Sequence, residues 1–286
     1  MHSLQRFYHW IAKTPSLFEL KPPFEELSSL SVPPYIEEEY QGNPRLGFIY
    51  QYLCTKLLTQ SDRFALLDEE IQINKSCGQT LGAIDLILKN HQQQRKEHWE
   101  VAIKFYLLHS GIWYGPNAHD QLDKKLARML SHQLKMSSTD EFLNQYPQYQ
   151  DLTEHLLIQG RLYINPFSPE TVPQECLGLS LNQSQITGHW CYQSQWEQIG
   201  EPLYELEKPL WAVGLEEFIN PIDKPNGRFV HAQTQNGQFW FVVPDTWPGQ
   251  GRKLERTSSY GEQERCAMES GIGLRPSRER ELTTKL

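Results

Sequence analysis

No stretch of this chain approaches the ~20 apolar residues that a helical membrane span needs, and hydrophobic residues fill only 38% of its 286 positions. The opening MHSLQRFYHWIAKTPS lacks the long apolar run and small-residue cleavage site of a signal peptide. No membrane association is expected, and a cytoplasmic location is. Paired cysteines are missing as well. Cys54, Cys77, Cys176, Cys191 and Cys266 are scattered without a CxxC, which excludes a zinc ribbon and a disulfide framework and leaves reduced packing residues. His189 and Cys191 stand two apart with no second ligand pair to complete a zinc site. Positive charge is also short: 27 Lys and Arg against 35 Asp and Glu give a net charge of −8. That argues against a globally basic nucleic-acid surface, leaves room for a local basic patch, and suits a site built on carboxylates.

What is present is most informative over Thr80–Leu108, two apolar strands joined by a polar, basic loop. Side chains alternate between the faces of a strand. His98, Glu100, Ala102 and Lys104 therefore share one face, expected to be wet, and Trp99, Val101, Ile103 and Phe105 share the other, expected to pack in the core. Asp85 interrupts the preceding apolar strand. An aspartate on one strand beside a glutamate and a lysine on the next suits a metal site. Two carboxylates can hold Mg²⁺, and an ammonium can steady a phosphate or a nucleophilic water. A solvated strand face produces the same alternation, with Glu100 and Lys104 as a surface pair.

Around this hairpin, the spacing in residues 1–20 predicts a helix broken at Thr14-Pro15, and prolines at 22, 23, 33 and 34 mark an irregular connection. Leu46–Leu58 reads as a buried helix, and Phe64–Asn74 ends in a strand that turns through Ser76-Cys77-Gly78-Gln79. Asp120–Leu134 reads as a helix with Leu122, Leu126, Met129 and Leu130 inward and Lys124, Lys125 and Arg128 on its basic side. Leu152–Ile164 mixes helix and strand signals, and residues 186–247 carry short aromatic runs, with a hairpin across Gln235-Asn236-Gly237. Tryptophans 190, 196, 211, 240 and 247 are expected in the core, although an aromatic strand face can also stack on bases. Residues 249–286 are so poor in large apolar side chains that disorder is expected. Gly271-x-Gly273 there follows no strand and is no phosphate loop.

The order helix, strand, strand with Asp, strand with Glu and Lys, helix resembles the core of the PD-(D/E)XK nuclease superfamily. The phrases NPRLGFIYQYL, EEIQINKSCGQTLGAIDLIL, HWEVAIKFYLL, GPNAHDQLDKKL, GHWCYQSQW and FWFVVPDTWP, spread over roughly residues 40 to 248, look more specifically like the bacterial family called domain of unknown function 1853. The resemblance implies an α/β fold: a restriction-endonuclease-like αβββαβ core with a mixed sheet over 36–136. An N-terminal helical extension (1–35), a C-terminal α+β module (137–248) and the disordered tail would flank it. It implies Mg²⁺ or Mn²⁺ held by Asp85 and Glu100, Lys104 as the catalytic lysine, and Gln51 behind the metal's water, where relatives carry a glutamate. The family's usual acid two residues before the lysine is here Ala102, and Glu100 lies another two residues back, ~6–7 Å along the strand. Ala83, two before Asp85, is a second position where relatives can carry an acid. Lys124, Lys125 and Arg128 would contact nucleic acid, DNA or RNA. The expected function is metal-dependent phosphodiester hydrolysis. The alternatives are an inactive nuclease-fold protein that binds nucleic acid or a protein partner, and a purely structural domain.

Overall fold

Buried positions at 49, 50, 53, 54, 57 and 58 recur at helical spacing and form one apolar stripe. That stripe fixes the first layer of the fold. In a computed structural model, which describes residues 3–31, 34 and 40–249, it belongs to α2 (Leu46–Thr59), beside α1 (Ser3–Lys13). Both helices pack through one core that includes Phe7, Ile11, Leu53 and Leu57 on the helices and Trp99, Ile103 and Phe105 on the sheet. Each fully buried leucine of this set contributes roughly 1.5–3 kcal/mol.

The strands are β1 (Phe64–Asn74), β2 (Thr80–Asn90), β3 (Arg95–His109), β4 (Ile112–Tyr114), β5 (Thr153–Ile164), β6 (Glu175–Cys176), β7 (Leu179–Ser180), β8 (Ile186–Tyr192), β9 (Tyr204–Glu205), β10 (Val230–Gln233) and β11 (Phe239–Val243). Nine of them form one sheet in the order β1-β2-β3-β5-β8-β11-β10-β9, with β4 paired to β3. The β3-β5, β5-β8 and β8-β11 pairs are parallel, and the rest are antiparallel. The chain is thus α/β with a large mixed sheet. The second face is covered by α3 (Leu122–Arg128), the π-helical turn Met129–Gln133 that continues it, and α4 (Asp140–Gln145). Segment 137–248 adds β5, β8, β11, β10 and β9 to the sheet that β1–β3 begin. Among the described residues, no helix is long and apolar enough to cross a membrane.

Two expectations are corrected. The face of β3 carrying His98 and Glu100 is not wet: their exposures are 0% and 1%. Both faces of a strand at the centre of an α/β sheet are roofed by helices, here by α3 and its π turn. The helix expected over 120–134 keeps α-helical geometry only to Arg128. The tail from residue 250 on, with Gly271-x-Gly273, lies outside the described residues. Leu152–Ile164 resolves as strand β5, buried on both sides, which explains its lack of clear alternation.

The β1–β2 turn closes through Gly78 at φ +81°, with the Gly78 N–H donating to the Lys75 carbonyl at 2.9 Å. A second glycine matters more. Gly160 of β5 pairs with Lys104 of β3, and a Cβ there would run into the Lys104 carbonyl oxygen. Gly160→Ala should cost about 3 kcal/mol or more in denaturant unfolding, because backbone cannot retreat as a flexible side chain does. An unchanged midpoint would show that β3 and β5 can part at no cost.

Candidate active site

The β2–β3 ladder runs from Asn90 opposite Arg95 to Leu86 opposite Trp99, and there it stops. Beyond that point β2 stays paired with β1 as far as Thr80, and β3 stays paired with β5 as far as Leu107. The strands therefore part into a fork. Its closed end is locked by the fully buried Glu97, which accepts hydrogen bonds from Asn90 Nδ2 (2.9 Å), Arg95 Nε (3.0 Å) and Trp99 Nε1 (2.8 Å). At its open end Asp85 Oδ2 accepts the Val101 N–H at 3.0 Å. A carboxylate thus satisfies a backbone donor that the ladder has abandoned.

Continuing the Leu86–Trp99 register sets Asp85 opposite Glu100, where Cβ atoms of facing residues lie about 5 Å apart. Both line a cavity of about 200 Å³ together with Lys104. Because the sheet is open here, groups from both helical layers reach the same space: Gly47, Phe48 and Gln51 from α2, and Lys125, Met129 and Gln133 from α3 and its π turn. Gln133 Nε2 donates to Glu100 Oε2 at 2.9 Å, and His98 Nε2 lies 3.1 Å from Glu100 Oε1. Lys104 Nζ donates to the Ile103 carbonyl at 3.3 Å.

Burial and the facing Glu100 push the Asp85 carboxyl up to about 7, against the opposing pull of Val101 N–H, His98 and Lys104. Burial likewise raises Glu100 to about 7, although the Asp85 N–H, Gln133 and Lys125 favour its charged form. Burial and the neighbouring Lys125 bring the Lys104 ammonium down to about 8. Burial holds His98 neutral, at about 4. The four shifts share one origin: chargeable groups taken out of water around a small opening. Such clusters mark sites where protons or charge are handled.

The donor set suits a hard divalent cation. Two carboxylates and the Gln51 amide oxygen are hard oxygen ligands, and Mg²⁺ keeps several waters and binds through one or two carboxylates plus substrate phosphate. Among the described residues, no three His, Cys, Asp or Glu groups come together to hold a metal by themselves. Any cation here would therefore take further oxygens from water and substrate. Glu100 Oε2 accepts from Gln133, which leaves that oxygen a lone pair for a ligand.

The structure brings Asp85, Glu100, Lys104, Gln51 and Lys125 to one cavity. It puts Arg128 in a neighbouring one and leaves Lys124 exposed, lining neither. The sequence reading overlooked Gln133. Lys125 and Gln133 are eight residues apart, about 80° out of line on a regular α-helix. The π turn, a feature often found at functional sites, brings Gln133 back beside Lys125, whose Nζ donates to Gln133 Oε1 at 3.3 Å. No local pattern announces such a turn.

A family model described as "Domain of unknown function (DUF1853)" matches residues 6–215. No curated protein and no solved structure matches the chain.

Proposed function

We propose, for a chain that belongs to the DUF1853 family, that the open fork is the active site of a nuclease hydrolysing phosphodiester bonds of DNA or RNA with Mg²⁺ or Mn²⁺. The observation that carries this reading is the convergence of Asp85, Glu100 and Lys104 on one cavity where the sheet parts. The chain order α2, β1, β2, β3, α3, β5 supports it, being the order expected of a PD-(D/E)XK core. The register also answers the displacement of Glu100 from the usual position. Glu100 faces Asp85 across the fork, so the pair of carboxylates is centred there rather than beside Ala102.

Asp85 and Glu100 would hold the cation, which when bound supplies Lewis-acid stabilisation of charge on the phosphoryl oxygens. Lys104 directs its ammonium at the attacking water and the non-bridging oxygens, where charge develops. Gln133 fixes the Glu100 carboxylate and keeps it from rotating away. Gln51 offers an amide to a water at the rim, and Val101 N–H orients Asp85.

One observation favours a second reading. Both Glu100 oxygens already lie against protein side chains, Oε2 accepting from Gln133 and Oε1 3.1 Å from His98 Nε2, as expected in a nuclease fold that binds nucleic acid or a protein partner without cutting. The assay that separates them uses the purified chain with Mg²⁺ or Mn²⁺ on single- and double-stranded DNA and RNA, beside Asp85→Ala. Cleavage by the wild type that disappears in the variant supports the nuclease. Absence of cleavage on every substrate leaves the binding protein.

A further inference from the structure

A second cavity, of about 250 Å³, opens beside the first and shares Asp85, Lys125 and Gln133 with it. Its own walls are Gly82 and Ala83 on β2 and Arg128, His132 and Met136 opposite. We propose that this cavity is a subsite for the phosphate next to the scissile one in a nucleic-acid strand, an inference that rests on the nuclease reading for its direction along the strand.

Charge is the first ground. Lys125, Arg128 and His132 face a wall of small, uncharged residues, with Asp85 as the single carboxylate of the cavity. Among the described residues, none of the three is within ion-pair distance of an Asp or Glu, and Arg128 has no hydrogen-bond partner at all. In a chain of net charge −8 most cations are expected to be near a carboxylate. Lys125 and Arg128, neither of them in an ion pair and both gathered in one hollow, make a locally positive surface that attracts an anion.

Geometry is the second ground. His132 Nε2 lies 3.3 Å from the Leu81 carbonyl, which fixes the ring against the cavity wall. Lys125 and Arg128 are three residues apart on α3, ~4.5 Å along the axis, so both can reach one stretch of phosphate backbone. Lys125 belongs to both cavities, so it bridges the reacting phosphate and its neighbour. Guanidinium and ammonium together provide the several donors that phosphate oxygens take, and the guanidinium can bind two of them at once. Lys124 points elsewhere and takes no part.

The test is fluorescence anisotropy of the full chain with labelled DNA and RNA oligomers in EDTA, so that binding is read without turnover. Arg128 is exposed, and its replacement leaves the core untouched. Arg128→Ala should weaken binding about tenfold. It should also reduce the slope of log K against log salt by about 0.7 for a single strand. Arg128→Lys should recover most of the slope, and Lys208→Ala, a distant surface cation, should change nothing. Oligomers with and without a terminal phosphate locate the contact: a loss confined to the phosphorylated ends assigns the subsite to a strand terminus, and an equal loss assigns it to an internal diester. Unchanged affinity and slope in Arg128→Ala, or no binding by the wild type, overturns the proposal. The nuclease reading fails separately. If the wild type cuts nothing yet its salt slope depends on Arg128, the subsite stands alone. If Asp85→Ala abolishes cleavage while Arg128→Ala binds as the wild type does, only the subsite falls.

Discussion

Lys104→Ala should lower turnover by about 10²–10³-fold and leave divalent-cation affinity close to that of the wild type. An ammonium cannot ligate Mg²⁺; it acts where charge develops on water and phosphate. Its pKa, brought down to about 8 by burial and Lys125, keeps it charged at neutral pH yet ready to give up a proton. Asp85→Ala should lose cation and activity together, because it removes a ligand that also ties down Val101 N–H at the fork. Glu100→Gln keeps shape and one acceptor oxygen but drops the charge, so affinity should fall and excess Mn²⁺ should partly restore the rate. Calorimetric titration with Mn²⁺ and cleavage rates on the three variants read these outcomes. Equal affinity in the wild type and Asp85→Ala would mean that no cation site is built between β2 and β3.

The second large effect is on stability, and its sign is fixed by the carboxylates. Without divalent cation the thermal midpoint should fall as pH rises from 6.5 to 8, above the range in which the buried, neutral His98 and His231 contribute in the opposite sense. Asp85 and Glu100 titrate near 7 in the folded protein and near 4 when unfolded. Between those values the folded state holds protons that the unfolded chain has released. Their contribution is therefore complete below about 4 and lost as pH passes through about 7, a three-unit shift being worth about 4 kcal/mol per carboxyl. Lys104 has the opposite sense, its folded pKa of about 8 lying below the unfolded value. Its contribution is present above the unfolded pKa, near 10, and lost as pH falls through 8, so it does not offset the trend below 7. Mn²⁺ should reverse the slope, because cation and protons compete for the same oxygens. A cation at a hundred times its Kd adds about 2.7 kcal/mol, and this gain should be larger at pH 8 than at pH 6. Between pH 6.5 and 8 the Asp85→Asn/Glu100→Gln protein should show neither dependence. A midpoint flat in pH for the wild type would mean that the two carboxyls are solvated.

The parts of the fold and site legible in the sequence are those that local patterns encode. The stripe of α2, the Gly78 turn and the alternation that sets Glu100 and Lys104 on one face of β3 each depend on a few neighbouring residues. The burial of that face was not legible, since a charged alternating face reads as wet until a helix from a distant segment covers it. The parallel neighbours β5, β8 and β11 were hidden for a related reason. A strand buried on both sides has no period-2 signal, and its partners lie far along the chain. Gln133 needed a non-standard helical turn, and the second cavity needed Arg128 and His132 to meet β2 in space.

The match to the family stops at residue 215, short of β10 and β11, yet β11 lies against β8 along its length and the β8 ladder to β5 is short by comparison. The end of the matched stretch therefore falls within a continuous hydrogen-bonded sheet. A fragment cut there would retain every chemical group of the fork. It would also bare the edge of β8 and the apolar residues Cys191 and Leu203 that Val230, Trp240 and Val242 cover, turning an interior stave into a sticky margin. For expression and crystallisation, the natural unit runs on past Val243 to include the buried Trp247.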